Sequence, residues 1–153
     1  MSKPILCLDF DGVIHRYSKG WQDGSIYDEP LPLAFESLRG LMREYAVFVH
    51  TTRDAHAVAE WIQVRSGIPC AVQVNPDMEF WNVQGELLVT NRKLPAVAYI
   101  DDRAIRFVDW VQAMTELAAR EPPRRPVTGL DRVREAVRRA RGGDPPAQIR
   151  GYA

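Results

Sequence analysis

Two carboxylates one residue apart, Asp9 and Asp11, stand at the end of the apolar run that leads into Leu8, and Gly12-Val13 follows them. In a strand over residues 4–9 side chains alternate between faces, so the two acids point the same way. Gly12 then lets the chain turn sharply off the strand end. Two acids on one face at the end of a buried strand repel each other unless a cation lies between them. Oxygen-only ligands favour a hard ion, and Mg²⁺ is the usual one beside a phosphate. The plainer alternative is a strand that ends in a polar turn.

Two further strand ends carry polar residues of interest. Thr51-Thr52-Arg53 follows the apolar, β-branched stretch Ala46–His50, and Asp101-Asp102 follows Ala96–Ile100. Lys93 lies just ahead of the second stretch, with Arg92 as its rival. Each has an ordinary explanation as well. The threonines could cap the next helix, Lys93 could be a solvated surface lysine, and the acid pair could open a turn. Arg53 is as readily a helix-end surface arginine as a substrate contact. In an open α/β sheet, however, ligands bind beyond the carboxyl ends of the strands, where all these groups would meet.

The elements that must position them follow from periodicity. Residues 4–9 are apolar on both faces, as in the middle of a parallel sheet. Residues 14–30 are irregular, with Gly20, Gly24 and Pro30 marking turns; Ile14, Tyr17, Trp21, Ile26 and Tyr27 suggest a small flap or hairpin. Helical spacing predicts a helix over 32–45, with Pro32 in its first turn. Residues 46–50 are the second strand. Asp54 caps a helix that runs to Ser66 and stops at Gly67. Residues 70–74 predict a third strand, 87–90 a weaker one and 96–100 a clearer one, with a further edge strand over 104–107. A helix over 109–120 follows. Alternating strands and helices of this kind predict an open parallel α/β sheet with right-handed crossovers.

The order of these groups resembles the haloacid dehalogenase-like (HAD) superfamily of phosphoryl-transfer enzymes. The first motif of that family, Asp-x-Asp-Gly after an apolar strand, is matched by Asp9-Phe10-Asp11-Gly12. The second, a strand ending in Thr or Ser, is matched by Val47–Thr51, the third by Lys93, and the fourth, a strand ending in acids, by Tyr99–Asp102. The resemblance spans residues 4–119. It implies a Rossmann-like three-layer sandwich with a central parallel sheet and a Mg²⁺-dependent phosphatase acting on a phosphate monoester. Asp9 would attack phosphorus to form an aspartyl-phosphate. Asp11 would protonate the leaving oxygen and later take a proton from water. Mg²⁺ would be held by Asp9, Asp11 through its backbone carbonyl, and Asp102, with Asp101 in support. Thr51 would donate to the phosphoryl oxygens, Lys93 would add positive charge, and Thr52 and Arg53 complete the expected substrate-binding group. The second Asp favours phosphate chemistry over carbon–halogen cleavage, since dehalogenases of the family lack it.

Spacing bears on the size of the substrate. Only 38 residues separate Gly12 from Thr51 and 41 separate Thr51 from Lys93, which leaves no room for the cap domains of larger relatives. An uncapped site is open to a bulky phosphorylated substrate. A polynucleotide terminal phosphate is one alternative, and a non-catalytic, metal-binding regulatory protein of the same fold is another.

Composition bounds the rest. The chain has 153 residues, 46% of them hydrophobic, enough for one soluble core. Its formal net charge is zero, so no bulk field draws it to nucleic acid or membrane. Residues 121–153 hold eight Arg against four acids, so residues 1–120 carry a net −4. The expected organisation is a core over 1–120 and a Pro/Arg-rich extension over 121–153, with one short basic helix at 131–141 and a loose end. The arginines are better explained as a solvated surface than as a nucleic-acid grip. Cys7 and Cys70 cannot build a disulfide framework or a zinc site, and Cys7 suits the core. With no signal segment and no apolar run of membrane-spanning length, the default expectation is a reducing cytoplasm.

Overall fold

The computed structural model describes residues 2–72, 75–120 and 128–140. The chain divides into two compact units, Met1–Asp102 and Arg103–Ala153. The first contains β1 (Ile5–Asp9), α1 (Ala34–Glu44), β2 (Ala46–His50), α2 (Ala55–Ser66), β3 (Cys70–Val72), β4 (Leu87–Thr90) and β5 (Ala98–Ile100). The second contains α3 (Trp110–Ala119) and α4 (Thr128–Ala140), which contact each other.

The strands form one five-stranded sheet, all parallel, in the order β3-β4-β2-β1-β5. This is an α/β architecture consistent with a Rossmann-like fold. β1 lies between β2 and β5, as expected, but β2 and not β1 is the middle strand of the five. Register aligns Asp9 with His50 and Leu8 with Ile100. The ends of β1, β2 and β5 therefore open on one edge, which the polar segments at 9–12, 51–53 and 101–102 share.

Strand alternation sorts the core into two clusters. Leu6, Leu8, Val47, Val49, Leu87 and Val89 face Leu38 of α1 and Val58 and Ile62 of α2. Cys7, Ala46, Phe48 and Leu88 face Trp81 and Leu94, from the segments flanking β4. Both faces of the inner strands are thus removed from water, which explains their unbroken apolar runs. Cys7 behaves as a core residue, and burial pushes its thiol up to about 11.

Local signals set most boundaries. Asp54 accepts a hydrogen bond from the Ala57 N–H and caps α2, and Gly67 ends it with φ of 72°. α1 begins two residues later than Pro32 predicts, because Leu33 sits at φ 64° as its N-cap. α4 begins at Thr128, three residues before the expected start. The expected edge strand at 104–107 does not form. Arg120 donates to the carbonyls of Arg103 and Ala104, so a side chain takes acceptors that a sheet ladder would need. The last two residues of the strand expected over 70–74, and the arginine-rich segments 121–127 and 141–153, lie outside the described residues. Among the described residues, no helix is long and apolar enough to cross a membrane.

Candidate functional site

Phe10 explains why the two acids of the first motif project outward. It is fully buried, edge-on to Trp61 and stacked on His15, and it anchors the segment between Asp9 and Asp11 to the core. Asp9, the last residue of β1, accepts a hydrogen bond from the Phe10 N–H at 2.8 Å. Carboxylate oxygens of Asp9, Asp101 and Asp102 all lie within 4.8 Å of one another, a grouping that could hold a metal ion. Asp9 is half-buried, whereas Asp101 and Asp102 are exposed. Burial first, and then the charges of Asp101, Asp102 and Asp11, raise the Asp9 carboxyl to about 6. The set is all-oxygen and mutually repulsive, which fits a hard divalent cation.

Gly12 is required by this cluster as well as by the turn. Its φ is +79°, and a Cβ there would come within 2.3 Å of Asp102 Oδ2. The backbone after the first motif passes so close to the β5 acids that only glycine fits.

Asp11 stands apart. Its carboxylate has other partners: His15 Nδ1 lies 2.8 Å from Oδ1, and the Arg53 Nε–H is shared between both oxygens at 3.0 and 2.8 Å. The Asp28 N–H donates to His15 Nε2 at 3.0 Å, which places the ring proton on Nδ1 and makes His15 a donor to Asp11. So Asp9 and Asp11 do not share one carboxylate cluster. Any role of Asp11 at the metal would pass through its backbone carbonyl.

The expected flap is a closed loop rather than a hairpin of strands. Its neck is held by Arg16 N–H to Glu29 O and Leu31 N–H to Ile14 O, with a single antiparallel bridge between His15 and Pro30. Its tip folds over Arg53. Arg53 Nη1 donates to the carbonyls of Gly24 and Ser25, and its guanidinium carbon lies 5.6 Å from the Tyr17 ring and 4.7 Å from the Trp21 ring. Only 3% of Arg53 is exposed, so it is a buried strut and not the surface arginine that its helix-end position suggests. Its place against Asp11 also differs from the expected substrate contact.

The other expected residues divide in the same way. Thr51 is buried, its Oγ1 accepts from the Arg53 N–H at 3.1 Å, and its own O–H is left to donate. Thr52 is exposed. Asn91 fastens this segment to β4 by donating to the carbonyls of Thr51 and Arg53. Lys93 is exposed with Nζ 4.7 Å from the Tyr99 ring on β5, and Tyr99 is itself fixed by donation to Leu94 O. Arg92 instead donates to Pro76 O and lines a cavity of about 360 Å³ with Asp54, His56 and Asn91. Sequence reasoning misses His15 entirely. The only signal was its place four residues after Asp11, directly behind the apolar pair Val13-Ile14.

Comparisons with known proteins add little. No protein-family model matches the chain, and no curated protein does. One solved structure, described as the structure of the conserved protein coded by a locus from Bacteroides thetaiotaomicron, matches at 23% identity and a TM-score of 0.42. That match covers 78% of this chain and 93% of the other.

Proposed function

We propose that the chain is a Mg²⁺-dependent phosphatase of the haloacid dehalogenase-like type, uncapped, acting on phosphate monoesters. One observation carries this. The two acids of a single Asp-x-Asp-Gly segment have separate surroundings, Asp9 among carboxylates and Asp11 between an arginine and a histidine. Paired acids with divided environments are the pattern of divided chemical roles.

In this mechanism an Asp9 oxygen forms a bond to phosphorus as the bond from phosphorus to the leaving oxygen breaks. Asp11, which enters this step as the carboxylic acid, delivers its proton to that leaving oxygen. Water then attacks the aspartyl-phosphate, Asp11 takes a proton from it, and the P–O bond to Asp9 breaks, which restores the carboxylate and releases phosphate. Asp9, Asp101 and Asp102 would hold Mg²⁺. When bound, Mg²⁺ supplies neutralising charge to the phosphoryl oxygens. Thr51 donates to those oxygens, and Lys93 adds a positive charge beside them, with Thr52 at the rim. Arg53 serves Asp11 instead of the substrate. Among the described residues, the loop and α1 lie between Gly12 and Thr51, and α2, β3 and β4 between Thr51 and Lys93. Segments this short support the uncapped reading, in which large esters could enter.

Phosphate release from a broad panel of esters, with and without Mg²⁺, tests this reading. Wild-type protein should release phosphate only with the metal, and Asp9→Asn should release none. A panel without turnover would favour a binding or regulatory role.

A further inference from the structure

A carboxylate that gives a proton to one oxygen and takes one from another must be held in a fixed direction, and Asp11 is held from two sides. His15, itself fully buried and oriented by the Asp28 N–H, donates to Oδ1. Arg53 donates to both oxygens through Nε and ties the same guanidinium to the carbonyls of Gly24 and Ser25. Asp28, Gly24, Ser25, Tyr17 and Trp21, which His15 and Arg53 contact, all belong to the loop over residues 17–28. The order of that loop and the direction of Asp11 are thus joined through two side chains.

We infer that His15 and Arg53 are positioning residues for Asp11, and that the 17–28 loop works as the outer half of this clamp. The inference rests on the phosphatase reading. Neither residue is assigned a part in bonding to phosphorus; each acts through the direction it imposes on the Asp11 carboxylate. In the step that forms the aspartyl-phosphate, a misdirected proton donor matters little for an ester with a good leaving group and much for one with a poor leaving group; the later hydrolysis, where Asp11 acts as base, is the same for both.

The test compares p-nitrophenyl phosphate, whose phenolate leaves unaided, with an alkyl ester such as glycerol phosphate, whose alkoxide needs the proton. With saturating Mg²⁺ in single-turnover measurements of leaving-group release, which read aspartyl-phosphate formation apart from the later hydrolysis, His15→Ala and Arg53→Met should lower the rate on the alkyl ester by about 10²-fold and on the aryl ester by less than about tenfold. KM should change little. His15→Asn keeps an N–H near Nδ1 and should recover part of the alkyl-ester rate. Should Arg53→Met fail to fold, Trp21→Ala removes a half-exposed ring from the clamp and should give a smaller loss with the same selectivity. Equal losses on both esters, or no loss, in an enzyme that Asp9→Asn still inactivates would overturn the positioning role alone. A wild type silent on both esters would remove the phosphatase reading and this role with it.

Discussion

The two sides of the Asp9–Asp11 segment follow opposite electrostatic plans. On the β5 side, three carboxylates crowd together, and their repulsion and burial hold the Asp9 proton to about pH 6. On the loop side, one carboxylate receives donors from a buried arginine and a buried histidine. The first arrangement is one that an added cation would stabilise, whereas the second pairs its acid with donors from the chain itself. A segment three residues long thus joins a place that should respond to metal to one that should respond to the loop. Gly12 marks the boundary, because the backbone there must pass against Asp102.

The largest expected effects fall on the acids themselves. Asp9→Asn should reduce turnover to background while far-ultraviolet circular dichroism stays unchanged, because an amide of the same shape is a poor nucleophile. Beryllofluoride, an acyl-phosphate mimic, should bind wild type and not this variant. Asp11→Asn should cost on the order of 10² to 10⁴-fold in kcat. If the two sides differ as described, Asp11→Asn should leave Mg²⁺ affinity nearly intact. Calorimetry showing equal loss of affinity in Asp11→Asn and Asp102→Ala would erase the distinction between them.

Metal binding gives the next largest effect. Asp102→Ala should weaken Mg²⁺ by at least about tenfold in a calorimetric titration. Gly12→Ala should follow with a smaller loss. Its Cβ can be accommodated only if the Asp102 carboxylate moves, and the left-handed φ costs about 1–2 kcal/mol of stability in addition. A Gly12→Ala protein with wild-type metal affinity would show that Asp102 is not needed where it stands.

Much of this architecture was legible because the signals were local. The apolar run before Asp9, the β-branched stretch 46–50 and the Asp54…Gly67 caps each act within a few residues, and the corresponding elements form where periodicity predicts them. The convergence of segments 9–12, 51–53 and 101–102 on one sheet edge was also within reach, since parallel strands put their carboxyl ends together. The clamp was not. His15 and Arg53 are 38 positions apart, and only the path of the 17–28 loop buries them side by side. That path depends on Tyr17 and Gln22 adopting positive φ, which their types do not announce. Residues 104–107 fail for a related reason, because Arg120 from another turn of the chain takes their neighbouring carbonyls.

The smallest expected effect separates the two sides without any turnover. The folded-state pKa of Asp9 is raised from 3.8 to about 6, so the folded chain holds this proton more tightly than the unfolded chain does. Between pH 4 and 6 the folded state therefore binds more protons, and Asp9 lowers stability progressively as pH rises through that window. Above pH 6 the destabilisation is fully present. Replacing Asp9 by Asn should thus raise the Tm of metal-free protein at pH 7 and leave it unchanged near pH 4. Two pKa units would correspond to nearly 3 kcal/mol, and partial exposure of the carboxylate reduces the expected gain to about 1–2 kcal/mol, or a few degrees. Added Mg²⁺ should stabilise wild type at pH 7 and do so far less for Asp9→Asn, since the ion supplies the charge that the substitution makes unnecessary. Asp11→Asn should shift Tm in the opposite direction, because it leaves the buried Arg53 without its anion. Thermal melts in which both asparagine variants move Tm the same way would show that the two acids share one environment.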